Sequence, residues 1–353
     1  MIRLYISLLL VTAIAIHTSC KKDRNNNNGS ASNKHLPGTL YWNFAGDVGY
    51  QQFNSGKYVK RKMGMGVGSS LFDSFDISWD DQNILLTVNL GSWTHDECRF
   101  VFRKNTDGLL RENMDDGANI FDFRYIWDDL SYTDAYISPD TKYLAIAAQH
   151  FSDHPIAIVD TETGETVSSW TVPGVNFLSY GKPVWAADNT LYFRIGGNLY
   201  KCAPSNGYQS APRVLTLPEG ASSVTVNPQG TKMVFRRNKH LWMCNMDGGS
   251  LTQLTTCETM DFISYDGENA PVFSPDGKYI AFTGATRRGL PWSDHDYPDG
   301  SWAAAVGGSY GYIVVIPADG KLYDLDNANS GAIWLQEPDS DAGIPSSHSL
   351  LWR

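Results

Sequence analysis

One turn motif, repeated five times, constrains this chain more than anything else in it. A short apolar strand ends in a small residue or Asn. A variable residue, an Asp or Gln and one or two turn residues come next, and a second apolar strand begins. The motif runs Phe75-Asp76-Ile77-Ser78-Trp79-Asp80, then Ile84-Leu85-Leu86, and Tyr136-Ile137-Ser138-Pro139-Asp140, then Tyr143-Leu144-Ala145-Ile146. It returns as Val184-Trp185-Ala186-Ala187-Asp188, then Leu191-Tyr192-Phe193, and as Val224-Thr225-Val226-Asn227-Pro228-Gln229-Gly230, then Met233-Val234-Phe235. The fullest copy is Pro271-Val272-Phe273-Ser274-Pro275-Asp276-Gly277, then Tyr279-Ile280-Ala281-Phe282. Pro and Asp-Gly chemistry of this kind closes a tight turn between antiparallel strands. From Ser78 through Ser138, Ala186, Asn227 and Ser274 the steps are 60, 48, 41 and 47 residues, the period of a four-stranded propeller blade.

A second turn occurs later in each copy: Asn105-Thr106-Asp107-Gly108, Asp160 to Gly164, Ser205-Asn206-Gly207, Asn245-Met246-Asp247-Gly248 and Ala318-Asp319-Gly320. Each lies between two more short apolar runs, so each unit carries four strands, a to d. No 3.6-residue period persists over a dozen positions, so helix is scarce. The five units resemble TolB-like propeller repeats, the Ser-Pro-Asp-Gly relatives of WD repeats, over most of residues 38–353. The resemblance implies a fold and is nearly silent on activity. Near the start, Thr39 to Phe44, Val48 to Phe53 and Lys57 to Lys62 read as strands b, c and d without an a strand. Ser349-Leu350-Leu351-Trp352-Arg353 aligns with strand a of the other units. The expectation is an all-β, six-bladed propeller of four-stranded antiparallel blades, its ring closed by the C-terminal strand, which removes the last free edge. Seven blades is the runner-up, with residues 109–132 or 326–346 as the places for the extra one.

The N-terminus reads as an address. Arg3 precedes an apolar run from Leu4 to Ile16, broken only by Ser7 and Thr12. That is short for a bilayer of about 30 Å but suits a signal-peptide core. His17-Thr18-Ser19-Cys20 resembles a bacterial lipoprotein cleavage site, which implies a signal over residues 1–19 and lipidation of Cys20. Lys21 to Asn28 and Gly29-Ser30 are similar to the polar tether of many Bacteroidetes lipoproteins, so residues 20–37 are expected to be a flexible tether and 38–353 the propeller. Ordinary secretion with cleavage nearby is the alternative. The implied location is the bacterial cell envelope, as an outer-membrane lipoprotein, monomeric and anchored by its lipid.

Charge excludes one class of partner. With 28 Lys and Arg against 38 Asp and Glu, net −10, and no long basic run, the chain lacks what phosphate-backbone binding requires, so nucleic acid is not expected. Five Cys in 353 residues are not a disulfide scaffold. Cys202 and Cys244 fall at equivalent points of strand c in adjacent units and read as small buried side chains.

Topology sorts the connections by side. The a–b and c–d turns share one side of the propeller, and the b–c and d–a connections share the other. Motif residues such as Asp140 and Asp276 are turn-formers. The b–c side collects His95, His150, His154, His240 and His295, with His348 in the last d–a connection. It also holds Trp93, Asp96, Asp153, Arg236, Arg237, Lys239, Arg287, Arg288, Trp292 and Trp302. Of these, His95, His150, His154, Arg236, His240, Arg287, Trp292, His295 and Trp302 are the candidate ligand-binding residues. A rim of loop histidines that never meet accounts for the same pattern. His150, Asp153 and His154 are candidate ligands for a divalent metal, though an i,i+4 pair of His converges only on a helix. Asp294 to Gly300 has the alternating carboxylates of a calcium loop but not its register. Gly284 to Tyr310, some 27 residues, is the longest b–c connection, of a length that is functional or disordered in compact domains. Its Arg and Trp residues suit stacking on sugar rings and pairing with carboxylates.

Nucleophile-elbow, Walker and dinucleotide fingerprints are absent, and no cofactor is certain beyond the possible metal. The sequence therefore points first to a non-enzymatic binding or scaffolding module for an envelope protein or a glycan. The alternative is a glycan-active enzyme. Oligogalacturonate lyases are similar propellers with metal-binding His near the axis, but their spacing is not reproduced here and none of their residues carries over.

Overall fold

A computed structural model of the chain describes residues 32–44, 47–62, 72–89, 98–104, 120–122, 133–148, 156–170, 181–257, 268–284, 310–338, 343–347 and 349–353. The leader-like segment and Cys20 lie outside them.

In the first unit β1 (Thr39–Phe44), β2 (Asp47–Gln52) and β3 (Lys57–Lys62) form an antiparallel meander. The second sheet is β4 (Phe72–Ile77), β5 (Asn83–Asn89), β6 (Cys98–Lys104) and β7 (Ile120–Asp122). The third is β8 (Thr133–Ile137), β9 (Tyr143–Ala148), β10 (Ile156–Asp160) and β11 (Thr166–Trp170). The fourth is β12 (Val184–Trp185), β13 (Leu191–Ile195), β14 (Asn198–Cys202) and β15 (Arg213–Thr216). The fifth is β16 (Ser222–Val226), β17 (Lys232–Arg237), β18 (His240–Asn245) and β19 (Thr252–Gln253), followed by β20 (Thr255–Thr256). The last unit supplies β21 (Asn269–Phe273), β22 (Tyr279–Gly284), β23 (Tyr310–Pro317), β24 (Tyr323–Asp324), β25 (Ile333–Trp334) and β26 (Pro345–Ser347). Finally β27 (Leu350–Trp352) pairs antiparallel with β1, Leu40 opposite Trp352, and gives the first sheet its fourth strand. The close approach there needs glycine: Gly38 has φ 69°, and a Cβ on it would collide with the Arg353 carbonyl oxygen.

The molecule is an all-β propeller, but its described residues hold five regular four-stranded sheets rather than six. The last unit departs from the repeat. Its Ala318-Asp319-Gly320 turn resembles the other c–d turns, yet Tyr323–Asp324 pairs in parallel with Thr255–Thr256 of the preceding unit. The Tyr323 and Leu325 amides donate to the Leu254 and Thr256 carbonyls (2.7 and 2.9 Å). Tyr323 and Leu325 are buried in the cluster between the fifth and sixth sheets, which favours that strap over a hairpin. The outer edge of β23 is then shared: β25 pairs with Val314–Val315, and β26 with Tyr310–Tyr312. The two places expected to hide a seventh blade hold β7 of the second sheet and β25 with β26 of the sixth.

Sheets bury both faces against their neighbours, which is why the inner strands read as unbroken apolar runs. In β22, Ile280 and Phe282 face the fifth sheet, while Ala281 faces the first, beside Leu40, Trp42 and Trp352. Similar clusters join first to second, second to third, third to fourth and fourth to fifth. Helix is confined, among the described residues, to two short 3-10 turns, Ser32–His35 and Pro204–Asn206. The first of these lies within the expected tether, whose end packs on the propeller. Leu36 is buried beside Leu40 and Trp352, and the Trp352 indole donates to the Pro37 carbonyl (2.6 Å).

Candidate functional site

The repeated turn is a hydrogen-bonded device. In the fullest copy the Ser274 hydroxyl donates to Asp276 Oδ1 (2.6 Å) and accepts from the Tyr279 amide (3.0 Å), while Asp276 Oδ1 also accepts from the Lys278 amide (3.1 Å). Ser138 and Asp140 repeat this arrangement with Tyr143 and Lys142, as Ser78 and Asp80 do with Asn83 and Gln82. Where the unit carries Asn227 instead of Ser, its Oδ1 takes the Thr231 and Lys232 amides (2.8 and 2.9 Å). Turns of adjacent sheets are also bonded: the Asp140 amide to Asn189 Oδ1, the Ala187 amide to the Pro228 carbonyl, and Tyr41 and Thr39 to Asp81. The a–b side is thus accounted for by structure.

The inner strands border a cavity of about 130 Å³. Tyr136 of β8, Trp185 of β12, Val224 to Val226 of β16, Ala270 to Phe273 of β21 and Leu350 to Trp352 of β27 line it, with Trp79 just beyond β4. It has room for a few waters or one small group. Two cations reach it. Lys182 Nζ sits 4.5 Å from the Tyr136 ring centroid. The Arg353 guanidinium lies over Trp79 and is held by Asp76 Oδ1 (2.7 Å) and the Ile77 carbonyl (2.6 Å). Asp76, fully buried, accepts the Ile137 amide (2.6 Å) on its other oxygen, so one carboxylate ties three sheets together. The Trp79 Nε1 donor is buried without a partner among the described residues.

Of the nine ligand-binding candidates, Arg236 and His240 are described. His95, His150, His154, Arg287, Trp292, His295 and Trp302 lie outside the described residues, as does Asp153 of the metal set. His240 opens β18, and its Nδ1 meets Glu268 Oε1 at 3.2 Å. Glu268 is fully buried and also accepts the Leu241 amide (2.9 Å) and the Thr255 hydroxyl. The imidazole is thereby oriented by a carboxylate that also holds the fifth sheet to the start of the sixth. Arg236 Nε donates to the Ser222 hydroxyl (3.0 Å). Beside it strand a bulges: Ser223 and, at the equivalent place in the next sheet, Ala270 hold φ of 48° and 49°, left-handed values that cost a non-glycine residue about 1–2 kcal/mol. The two residues therefore do not form one compact site: His240 belongs to an inter-sheet latch, and Arg236 to the mouth of strand a.

Sequence reasoning missed Arg194, Lys182 and Arg353. Arg194 is the last residue but one of β13, as Arg236 is of β17; aligning the two strands by their turns would have paired them. Burial pulls the Arg194 pKa down from its ordinary value. Burial also pushes the Cys202 thiol up, and the Cys244 thiol up to about 11 with Asp247 adding to the effect. Both thiols stay protonated and unreactive near neutrality. Among the described residues no group of three or more His, Cys, Asp or Glu could hold a metal ion, and no helix is long and apolar enough to cross a membrane.

No protein-family model and no curated protein matches the sequence. Solved structures do. TolB from Acinetobacter baumannii superposes with a TM-score of 0.50 at 14% identity over 81% of this chain; the chain spans only 63% of that protein's length. A putative TolB from Agrobacterium tumefaciens is similar at 14% identity and a TM-score of 0.45, with 89% of each chain covered. A putative 6-phosphogluconolactonase from Bacteroides uniformis is similar at 12% identity and a TM-score of 0.45, with 80% of each covered. At these identities the likeness establishes the fold: a β-propeller with TolB-like propellers among its structural neighbours.

Proposed function

We propose that this protein is a binding and scaffolding module of the bacterial cell envelope, carried on an N-terminal lipid at Cys20, with an envelope protein or a glycan docking on its b–c side. The propeller is then a six-bladed ring closed by the pairing of β27 with β1. Two features support the ring: inner strands of five sheets, and Trp79 just beyond the inner strand of the second, border one cavity, and apolar clusters couple consecutive sheets, including the sixth to the first. The observation that carries the functional reading is the unequal commitment of the two sides. Acidic turn residues on the a–b side are satisfied by neighbouring amides, whereas Arg194 and Arg237 on the b–c side form no ion pair among the described residues. Cationic and aromatic groups at the mouth of a toroidal fold are what an acidic or sugar ligand requires. Trp292 and Trp302 in the long connection are part of the proposal on sequence grounds alone.

The test is a glycan panel together with immobilised envelope proteins, probed with the full chain. Replacing Arg194 and Arg237 together by Ala should weaken whichever ligand binds by about tenfold or more. Replacing Lys278 and Lys321 on the opposite side should change nothing. The reverse pattern would move the site to the a–b side. Radiolabelled palmitate should enter the expressed protein and be lost from Cys20→Ala. One observation favours the enzymatic alternative, the imidazole of His240 oriented by buried Glu268. Depolymerisation of an acidic polysaccharide by the purified protein, abolished in His240→Ala, would establish it.

A further inference from the structure

At the b–c end of the interface between the fourth and fifth sheets, three buried nitrogen donors meet no acceptor among the described residues. In β13, Tyr192 points into the cluster these sheets share, and Arg194, two residues on, lies on the same face. In β17, Met233 and Phe235 enter the same cluster from the other side, and Arg237 comes next on their face. Trp242 packs against that cluster, and the Arg237 guanidinium lies over its ring, 5.5 Å from the centroid. Nε of Arg194, Nε of Arg237 and Nε1 of Trp242 are the three donors.

Arg194 donates through Nη1 to the Ala221 carbonyl (3.1 Å). Its Nε–Nη2 edge remains, the pair of parallel N–H groups that takes a carboxylate or phosphate side-on. A Cβ at Gly181 would stand 3.1 Å from Arg194 Nε and 3.3 Å from its Cβ, so a side chain there would press on the arginine and shift its fork. Among the described residues no carboxylate pairs with either arginine: the ion pairs there are His240–Glu268, Lys278–Asp276, Lys321–Asp319 and Arg353–Asp76. This holds in a chain where acidic residues outnumber basic ones, 38 to 28. Both arginines are half-buried, and it is their Nε donors that are closed off from water; a buried donor without an acceptor opposes folding, and a bound anion removes that penalty.

We propose that this interface binds an oxyanion, the carboxylate or phosphate group of a small ligand or sugar acid, gripped side-on by Arg194 with Arg237 and Trp242 as further donors. The inference rests on the b–c side being the ligand side and adds the chemical class of what it recognises.

The full chain is titrated calorimetrically with inorganic phosphate, acetate and glucuronate at constant ionic strength in chloride buffer. At least one should bind saturably, and which one names the source of the oxyanion. Arg194→Met and Arg237→Met should each weaken it by about tenfold or more, and Gly181→Ala should weaken it with both arginines in place. Should a Met variant fail to fold, Arg194→Lys keeps the charge and stem but loses the fork, and is expected to bind more weakly than the parent. The bound anion should also raise the thermal midpoint of the parent and not that of Arg194→Met. Absence of saturable heat with all three anions, or an affinity indifferent to Arg194 and Gly181, overturns the proposal. Because the probes are free anions, this outcome is independent of whether an envelope protein or glycan is found to dock.

Discussion

The two sides of the propeller handle charge in opposite ways. On the a–b side a serine and an aspartate, two residues apart, bond each other and the incoming strand, and successive turns bond one another. On the b–c side Arg194 and Arg237 each bury an Nε that meets no acceptor among the described residues. Strained backbone occurs on both sides, at Thr141 as at Ser223 and Ala270; unsatisfied charge is what sets the b–c side apart.

Substitutions separate the two. Asp76→Ala should have the largest effect, leaving the Arg353 guanidinium and the Ile137 amide unpaired inside the molecule. The expected loss is about 3–5 kcal/mol in urea unfolding. Were Arg194→Met or Arg237→Met to cost as much, the contrast between the sides would fail. Ser274→Ala removes the hydroxyl that serves both Asp276 and the Tyr279 amide, and should cost about 1–3 kcal/mol without changing ligand affinity. Thr141 occupies the turn at φ 63°, where a β-branched residue is strained. Thr141→Gly should stabilise by about 0.5–1 kcal/mol, read as a small rise in thermal midpoint.

The smallest effect is a pH dependence. Asp160 accepts the Thr163 and Glu162 amides and the Thr163 hydroxyl, and the Thr163 amide above all holds its pKa below the ordinary value. A carboxylate lowered on folding gives stability that is complete above its unfolded pKa and lost as pH falls through the folded one. Asp81 runs the other way: burial raises its pKa despite the hydrogen bonds from Tyr41 and Thr39, so its contribution is lost as pH rises through the folded value. Asp160→Ala should therefore flatten the acid limb of thermal midpoint against pH below about pH 4, and Asp81→Asn should not.

Much of this architecture is legible in the residues, and the exceptions have physical causes. Ser78, Ser138 and Ser274 announce their turns because a short polar side chain two residues before an Asp has one economical use at a strand end. Asp319-Gly320 announces a turn equally well but leaves the partner of the next strand open. Whether Tyr323 pairs back on β23 or across to Thr255 is decided by burial of Tyr323 and Leu325 between two sheets, a tertiary matter. Arg194 was invisible for a related reason. An arginine near the end of a strand looks like a solvated tip, and only the neighbouring sheet reveals that its Nε is buried. His240 stood out as a loop histidine, but its partner Glu268 is distant in sequence and gave no sign.

The pairing of β27 with β1 has a consequence for the order of events in folding. Trp352 and Pro37, 315 residues apart, are joined by a hydrogen bond, and β1 lacks its inner partner until the last strand arrives. Local hairpins such as β17–β18 can form within microseconds. Joining the first sheet to the last strand closes a loop of nearly the whole chain, whose entropy must be surrendered before any contact rewards it. The amides of β1 facing β27 are thus the last in the molecule to gain protection from exchange with solvent, and the inner edge of β1 is the site most open to pairing with another chain while folding is under way.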